Sequence, residues 1–294
     1  MNMKWRPRAA RTGVLALGIL LAGCGRGGGR TPAASAAAGI PGGADSVAAR
    51  LASSTRHGEY ATIPAGPGDS LRVWVVYPER STRAPVVVVI HEIFGLTSWV
   101  RGVADQLAAE GFVAIAPDLL SGTPLPMSPD SMASVESGLD SARAIISALD
   151  YGRVIRRIEA TAAYGTTLPA GLDRWGVVGF CWGGSMVLTT AAHVPSLGAG
   201  VSFYGGVTRD EVDLATVRAP TLALLAEHDA RVNMTMPYVD SSYRAAGVAF
   251  EQATFRGAGH GFLRQQAAHD GANLAASREA WPRTVAWLRE RLER

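Results

Sequence analysis

The stretch Gly179-Phe180-Cys181-Trp182-Gly183-Gly184 decides the fold of this chain. Residues 174–180 predict a short buried strand, and the small, apolar residues 184–192 predict a helix directly after it. A strand that turns into a helix within one residue strains the backbone of that residue and exposes its side chain. The flanking glycines let the helix lie close to the strand. This Gly-x-Cys-x-Gly pattern therefore predicts a nucleophile elbow, with a thiol where most elbows have a serine hydroxyl.

Cys181 is the candidate nucleophile. Its place at a helix N-terminus favours the thiolate, because free N–H groups and the helix dipole stabilise negative charge. A buried structural cysteine is the alternative, since free cysteine is often buried. The only other cysteine of the sequence is Cys24. A disulfide between the two requires an oxidising compartment, but the N-terminal sequence indicates another role for Cys24, so we expect a free thiol at Cys181.

Composition indicates one large globular domain. The chain has 294 residues, of which 48% are hydrophobic and 18% charged, enough for a sizeable core. The formal net charge is +3, but four basic residues and no acid fall within residues 1–23, which leaves 24 basic and 25 acidic residues in the remainder. No basic patch is interleaved with aromatic residues, so the sequence does not indicate a nucleic-acid partner.

The N-terminus resembles the signal peptide of a bacterial lipoprotein. Residues 1–23 have a basic start and an apolar run at 14–22, shorter than the roughly 18 residues of a membrane span. Leu21-Ala22-Gly23-Cys24 resembles a lipobox, in which Cys24 becomes the acylated first residue. Lipid chains would anchor the protein without spanning the membrane, and Gly25 in place of aspartate favours the outer membrane, on its periplasmic side. A plain secretory signal is the alternative.

Residues 24–55 predict a flexible tether followed by a short helix. Residues 25–43 are mostly Gly, Ala, Pro and Ser, and 44–54 are compatible with a helix. The folded domain is expected over 56–294. It opens with two antiparallel strands near 57–63 and 71–77, the second a half-exposed edge. Gly68-Asp69-Ser70-Leu71 matches a lipase signature, but its place in a hairpin turn argues against Ser70 as a nucleophile.

Strands and helices then alternate, which predicts an α/β fold with a mostly parallel central sheet flanked by helices. Residues 85–90 are an apolar run typical of a strand buried on both faces. The further predicted strands are 112–116, 174–180, 198–204, 221–226 and 250–255. The predicted helices are 98–110, 129–149, 154–163, 184–192, 236–246 and a C-terminal helix that Pro282 kinks or restarts.

Ligands of open α/β sheets bind beyond the carboxyl ends of the strands, where Asp229 and His260 are expected to join Cys181. The order nucleophile, acid, histidine is that of α/β hydrolases. Asp229 would orient His260, and His260 would manage the proton of Cys181. Taken singly, a helix-capping Asp and a surface-loop His are the alternatives. The backbone N–H groups of Ile93 and Trp182 are the expected oxyanion donors.

Five motifs together resemble the dienelactone hydrolase family, over roughly residue 57 to the C-terminus. They are His91-Glu92-Ile93-Phe94-Gly95-Leu96, Pro117-Asp118-Leu119, Gly179-Phe180-Cys181-Trp182-Gly183-Gly184, Phe203-Tyr204-Gly205 and Gly259-His260-Gly261-Phe262. The resemblance implies an α/β-hydrolase fold and a Cys-His-Asp triad that hydrolyses lactones and esters without metal or cofactor. It also implies that Glu92 contacts the resting thiol and helps to generate the thiolate once substrate displaces it.

The sequence departs from the family in its carboxylate clamp. Arg264 matches one of two arginines that hold the substrate carboxylate in pathway dienelactone hydrolases, but no arginine occurs in 129–140, where the second would fall. A clamp with one arm does not predict an anionic dienelactone as substrate; a solvated loop charge is the alternative role for Arg264. Phe94, Tyr204 and Trp182 are expected to line an apolar acyl pocket or to pack in the core.

The sequence thus favours a membrane-tethered hydrolase that cleaves small-molecule esters or lactones through an acyl-thioester on Cys181. One alternative is a metal-dependent hydrolase with His91, His228, Asp229 and His260 as ligands, which no compact ligand spacing supports. The other is a hydrolase-fold lipoprotein that binds a ligand or partner without turnover. The sequence does not determine the oligomeric state.

Overall fold

The structure is a computed structural model that describes residues 39–294. The predicted signal peptide, Cys24 and the first part of the predicted tether lie outside the described residues. Within 39–294, no helix combines the length and the apolar character needed to cross a bilayer.

One mixed sheet runs through the described residues. Its eight strands are β1 (Gly58–Pro64), β2 (Ser70–Val76), β3 (Ala84–Ile90), β4 (Val113–Pro117), β5 (Gly171–Phe180), β6 (Ala199–Phe203), β7 (Thr221–His228) and β8 (Phe250–Gly259). Their order across the sheet is β1-β2-β4-β3-β5-β6-β7-β8. β2 is antiparallel to β1 and β4, and the remaining pairs are parallel. The predicted α/β fold with a mostly parallel sheet is confirmed.

Helices cover both faces of this sheet. In the described range they are α1 (Val47–Ser53), α2 (Ser98–Ala109), α3 (Pro129–Ser134), α4 (Glu136–Ser147), α5 (Tyr151–Thr167), α6 (Trp182–His193), α7 (Ala230–Asn233), α8 (Met236–Ala246) and α9 (Ala272–Leu292). Successive residues of β3 divide between two cores: Val86 and Val88 join the core that includes residues of α5 and α6, and Val87 and Val89 join that of α2 and α9. The continuous apolar run of this strand follows from its burial on both faces.

Three details differ from the sequence-based predictions. The helix predicted for 129–149 is two helices, because Val135 between them has an extended backbone. After this break, Gly138 lies so close to the backbone of Met132 that a Cβ would collide. Of the two effects predicted for Pro282, a kink or a restart, the restart does not occur, because the C-terminal helix continues through this residue. Proline has no N–H to donate to the carbonyl of Arg278 one turn earlier. Both residues are exposed, so a water molecule can donate to this carbonyl instead. β2 is not an edge strand, because β1 covers it.

The chain before α1 packs against the domain. Pro41, Gly42 and Gly43 are buried, so the flexible segment predicted over 25–43 does not extend to its last residues. The N–H of Ala44 donates to the carbonyl of Arg264 at 2.9 Å. The side-chain amide of Gln266 donates to the carbonyl of Pro41 at 2.8 Å. These bonds attach the N-terminal segment to the loop that follows β8.

We predict that Gly179→Ala destabilises the fold by about 2 to 3 kcal/mol. A Cβ at Gly179 would collide with the carbonyl oxygen of Gly183, which is backbone and cannot move aside without shifting α6. Urea unfolding followed by circular dichroism measures the change.

Gly152→Ala is the matched control for this prediction. A Cβ at this exposed helical position would meet only the ends of the Asp150 and Arg156 side chains, and alanine is the better helix former. The variant should be as stable as the wild type or slightly more so. Equal effects of the two substitutions would contradict the close approach of β5 and α6.

Candidate active site

Cys181 lies at the junction of β5 and α6 in a strained backbone conformation. Its φ is 56° and its ψ is −117°, a region that costs a non-glycine residue about 1 to 3 kcal/mol. Its N–H donates to the carbonyl of Phe203 at 3.0 Å. A Cβ at Gly183 would lie 2.5 Å from the carbonyl oxygens of Ile90 and His91. Close packing therefore holds the elbow, as the glycine pattern predicts, and the thiol is partly exposed.

His260 and Asp229 meet beyond the ends of β7 and β8. The Nδ1 of His260 lies 2.5 Å from Oδ2 of Asp229. Asp229 is buried, whereas His260 is partly exposed. The other carboxylate oxygen accepts the N–H of Val232 at 3.4 Å, so Asp229 caps α7 and orients His260 at once. The bonded Nδ1 leaves Nε2 as the nitrogen available for proton transfer.

The pKa values of these groups indicate a charged histidine. Burial lowers the pKa of His260, but hydrogen bonds to Asp229 and to the thiol of Cys181, together with their charges, outweigh burial and raise it to about 10. Burial raises the pKa of Asp229, but the hydrogen bond and charge of His260 outweigh it, and the net shift is downward. The three predicted triad residues are thus brought together, and their catalytic role remains a prediction.

His91 positions the loop that contains Ile93. Its Nδ1 lies 2.5 Å from the carbonyl oxygen of Glu92, and its Nε2 accepts the N–H of Leu119 at 3.2 Å. The ring is fully buried, and burial lowers its pKa, so it is neutral with the proton on Nδ1. It also stacks on Trp182, with ring centroids 5.5 Å apart. From the sequence, His91 was a candidate only as a metal ligand, because its partners Leu119 and Trp182 are distant in the chain.

The two candidate oxyanion donors lie at the same cavity as Cys181. Trp182 is the first residue of α6, where backbone N–H groups have no partner within the helix. Ile93 follows β3 in the neighbouring strand-end loop. In the described part of the chain, neither amide N–H donates a hydrogen bond to another protein group. Both are therefore available to an oxygen of a bound substrate.

Glu92 is paired with Arg264. The Nε of Arg264 lies 2.6 Å from Oε2 of Glu92, and both side chains are largely buried. The guanidinium also lies 5.4 Å from the centroid of the Phe94 ring. Glu92, Phe94 and Arg264 all line the cavity. The contact of Glu92 with the thiol of Cys181, implied by the resemblance, is not among the hydrogen bonds within 39–294, and its role remains a prediction.

Tyr204 does not line the cavity, contrary to the pocket-lining role predicted for it. It is fully buried, and its ring packs edge-on behind His260, with centroids 5.1 Å apart. Its φ is 40°. The hydroxyl is buried without a hydrogen-bond partner among the described residues. Tyr204 therefore supports the histidine from the core side, which corresponds to the packing alternative.

The cavity has a volume of about 1280 Å³. It is lined by Cys181, His260 and Asp229, and it extends to residues without a sequence signal, among them Arg143 and Arg231. These arginines lie on α4 and α7, and sequence spacing alone gives no signal that the two helices face one cavity.

In the described part of the chain, no group of three or more His, Cys, Asp or Glu side chains is arranged to hold a metal ion, so the four ligands of the metal-dependent alternative do not form a cluster.

The mostly parallel sheet, with a strand-to-helix elbow at one strand end, defines this protein as an α/β hydrolase by fold. A model of the dienelactone hydrolase family matches residues 71–292, and the chain belongs to that family.

Individual relatives agree with this assignment. A rat protein named carboxymethylenebutenolidase homolog is 30% identical over 217 residues, which are 70% of this chain and 84% of the rat protein. A structure from Klebsiella pneumoniae subsp. pneumoniae has a TM-score of 0.69 at 24% identity and covers 79% of this chain and 98% of its own. A dienelactone hydrolase-like promiscuous phosphotriesterase from metagenomic libraries has a TM-score of 0.63 at 23% identity, covering 81% and 99%. The two structures share the fold of this chain. Membership of the family shows that this protein is a hydrolase.

We predict that His260 titrates near pH 10 in the wild type and at lower pH in Asp229→Asn. The raised pKa of His260 depends in part on Asp229, so removal of the carboxylate charge moves it downward. NMR of the imidazole group measures the titration, and the spectrum of His260→Gln assigns the signal.

Asp240→Asn, which changes a partly exposed carboxylate of α8 that pairs with Arg244, should leave the His260 titration unchanged. An ordinary histidine pKa in the wild type would contradict the electrostatic coupling described for this site.

Proposed function

We propose that this protein hydrolyses carboxylic esters or lactones through a nucleophilic attack by Cys181 and an acyl-thioester intermediate. One observation carries the proposal: the partly exposed cysteine lies at a strained strand-to-helix turn, and His260, itself bonded to Asp229, is close enough for its pKa to respond to the thiol. A structural cysteine does not need this arrangement. Family membership supports the hydrolase class.

In the proposed mechanism, the thiol proton of Cys181 is held by His260, whose raised pKa favours the charged ring, and the thiolate sulfur attacks the carbonyl carbon of the substrate. The carbonyl oxygen becomes negative and accepts hydrogen bonds from the N–H groups of Ile93 and Trp182. The ester bond then breaks, and the leaving alkoxide takes the proton from His260. A water molecule next gives a proton to His260 and attacks the thioester, which releases the acid and restores the thiolate of Cys181 beside the charged His260.

Glu92 would adjust the reactivity of the thiolate. The ion pair with Arg264 neutralises this carboxylate in the structure. A substrate oxygen that binds Arg264 would compete with Glu92 and free the carboxylate to approach Cys181. Because a carboxylate near a thiolate repels it, the freed charge would make the sulfur more basic and more nucleophilic once substrate is bound.

We also propose a lipid anchor on Cys24 and a periplasmic position at the outer membrane. The support is the sequence Leu21-Ala22-Gly23-Cys24 and the following Gly25 alone, since these residues lie outside the described range. Cys24→Ser should abolish incorporation of radiolabelled palmitate and move the protein from the membrane to the soluble fraction. Labelling of the variant at the wild-type level would contradict the anchor.

The proposed chemistry predicts that Cys181→Ala loses at least about 1,000-fold in kcat on p-nitrophenyl acetate. Mass spectrometry of rapidly quenched wild type should detect an acetyl adduct on Cys181. Iodoacetamide should inactivate the wild type, and a chelator should not. Ser241→Ala, an exposed position on α8, is the matched control.

Two outcomes would favour the alternatives. Hydrolysis no faster than the buffer background with both wild type and Cys181→Ala would indicate a hydrolase-fold protein that binds without turnover. Loss of activity with the chelator, together with resistance to iodoacetamide, would indicate the metal-dependent hydrolase.

A further inference from the structure

The cavity at Cys181 extends along the whole of α6. Ser185, Met186, Thr189 and His193 all line it, and their spacing of three or four residues places them on one face of the helix. α6 begins at Trp182 and has 12 residues, so at about 1.5 Å per residue this face is about 16 Å long. The cavity is therefore a groove that leads from the nucleophile to the far end of α6.

The interior of this groove is mostly apolar, and the hydroxyls of Ser185 and Thr189 on the α6 face already donate to backbone carbonyls. Its buried and half-buried lining includes Met132, Leu139 and Ile155 from α3, α4 and α5, and Val207 and Val212 from the segment after β6. Four charged residues that also line it are all exposed and carry both signs: Glu136, Arg143, Glu211 and Arg231. Charge is thus confined to the rim, and outside the immediate surroundings of Cys181 the interior offers no site for an ionic group.

Exposed apolar side chains surround the same groove. In the described part of the chain, four large hydrophobic side chains are exposed, and three of them line it: Val135, Tyr151 and Met234, with exposures of 45%, 48% and 76%. Exposed apolar groups at the rim of a cavity indicate a surface that a ligand covers. With a volume of about 1280 Å³, the cavity exceeds the roughly 300 to 1,000 Å³ usual for a small-molecule site.

We infer that the substrate is an elongated, uncharged carboxylic ester with a long apolar chain, and that this chain lies in the groove along α6. The inference rests on the proposed function of Cys181. A chain that fills a groove of about 16 Å has on the order of ten methylene groups. Two of the three arginines that line the cavity agree with an uncharged substrate, because Arg264 is paired with Glu92 and Arg143 lies 3.4 Å from Asp140. The third, Arg231, is exposed at the rim.

The test is the chain-length dependence of hydrolysis. For p-nitrophenyl esters from acetate to decanoate, kept below their micelle concentrations, kcat/KM should rise roughly two- to fourfold for each methylene that enters the groove. In a parallel series of alkyl acetates, the alcohol part of the ester is lengthened instead of the acyl part. A rise in either series supports the inference, and kcat/KM that is flat or falls with chain length in both series would overturn it.

Two variants test the location of the chain. Thr189→Phe fills the groove about 10 Å from the start of α6 and should lower the ratio of decanoate to acetate hydrolysis by tenfold or more. Thr189 is buried, so Thr189→Phe could fail to fold, and a second variant is needed. Met234→Glu places a charge at an exposed position of the rim and should lower the same ratio severalfold. Thr167→Phe, on the exposed end of α5 and outside the groove, should leave it unchanged. Unchanged ratios in both Thr189→Phe and Met234→Glu would overturn the location.

Straight-chain methyl ketones, which are not hydrolysed, separate this inference from the proposed chemistry. Calorimetry with hexan-2-one to dodecan-2-one on the full folded protein measures binding without turnover. Affinity that rises with chain length in a protein without esterase activity would support the groove and reject the hydrolytic function. Ester hydrolysis that depends on Cys181, with neither kcat/KM nor ketone affinity dependent on chain length, would support the function and reject the groove.

Discussion

The positive φ of Cys181 is the constraint on which the rest of the site depends. A side chain in this conformation is unfavourable alone, and the fold maintains it because β5 lies between β3 and β6 and α6 packs directly against the strand ends. The glycines of the elbow have no room for a Cβ. The position of the Cys181 side chain is therefore set by backbone packing at the elbow.

Two ion pairs with different roles lie beside this elbow. His260 bonds to Asp229 and to the Cys181 thiol, and these two partners raise the pKa of the imidazole. Glu92 and Arg264 connect the loop after β3 to the loop after β8, and each neutralises the other where burial would penalise a single charge. Removal of one partner from such a pair leaves a buried charge uncompensated. The second pair therefore contributes to loop position as well as to the electrostatics of the cavity.

The remainder of the structure connects these loops to the frame of the domain. His91 bonds to the loop before Ile93 on one side and to the N–H of Leu119, after β4, on the other. The N-terminal segment bonds to the carbonyl of Arg264 through Ala44, so the part of the chain that follows the predicted tether also supports the loop that follows His260. Tyr204 supports His260 from the core. Each loop of the site thus has a fixed attachment outside the site.

The sequence by itself determined the strand-helix alternation, the elbow and the order of Cys181, Asp229 and His260, because these depend on local periodicity, glycine positions and residue type. It also placed α8 at its observed bounds, Met236–Ala246. Only the tertiary structure decided the pairing of Glu92 with Arg264, the burial of Tyr204 behind His260 and the role of His91, because each depends on residues far apart in the chain. The groove along α6 is a further case: its walls come from α3, α4, α5 and the segment after β6, and no pattern within one element specifies which faces meet across a cavity.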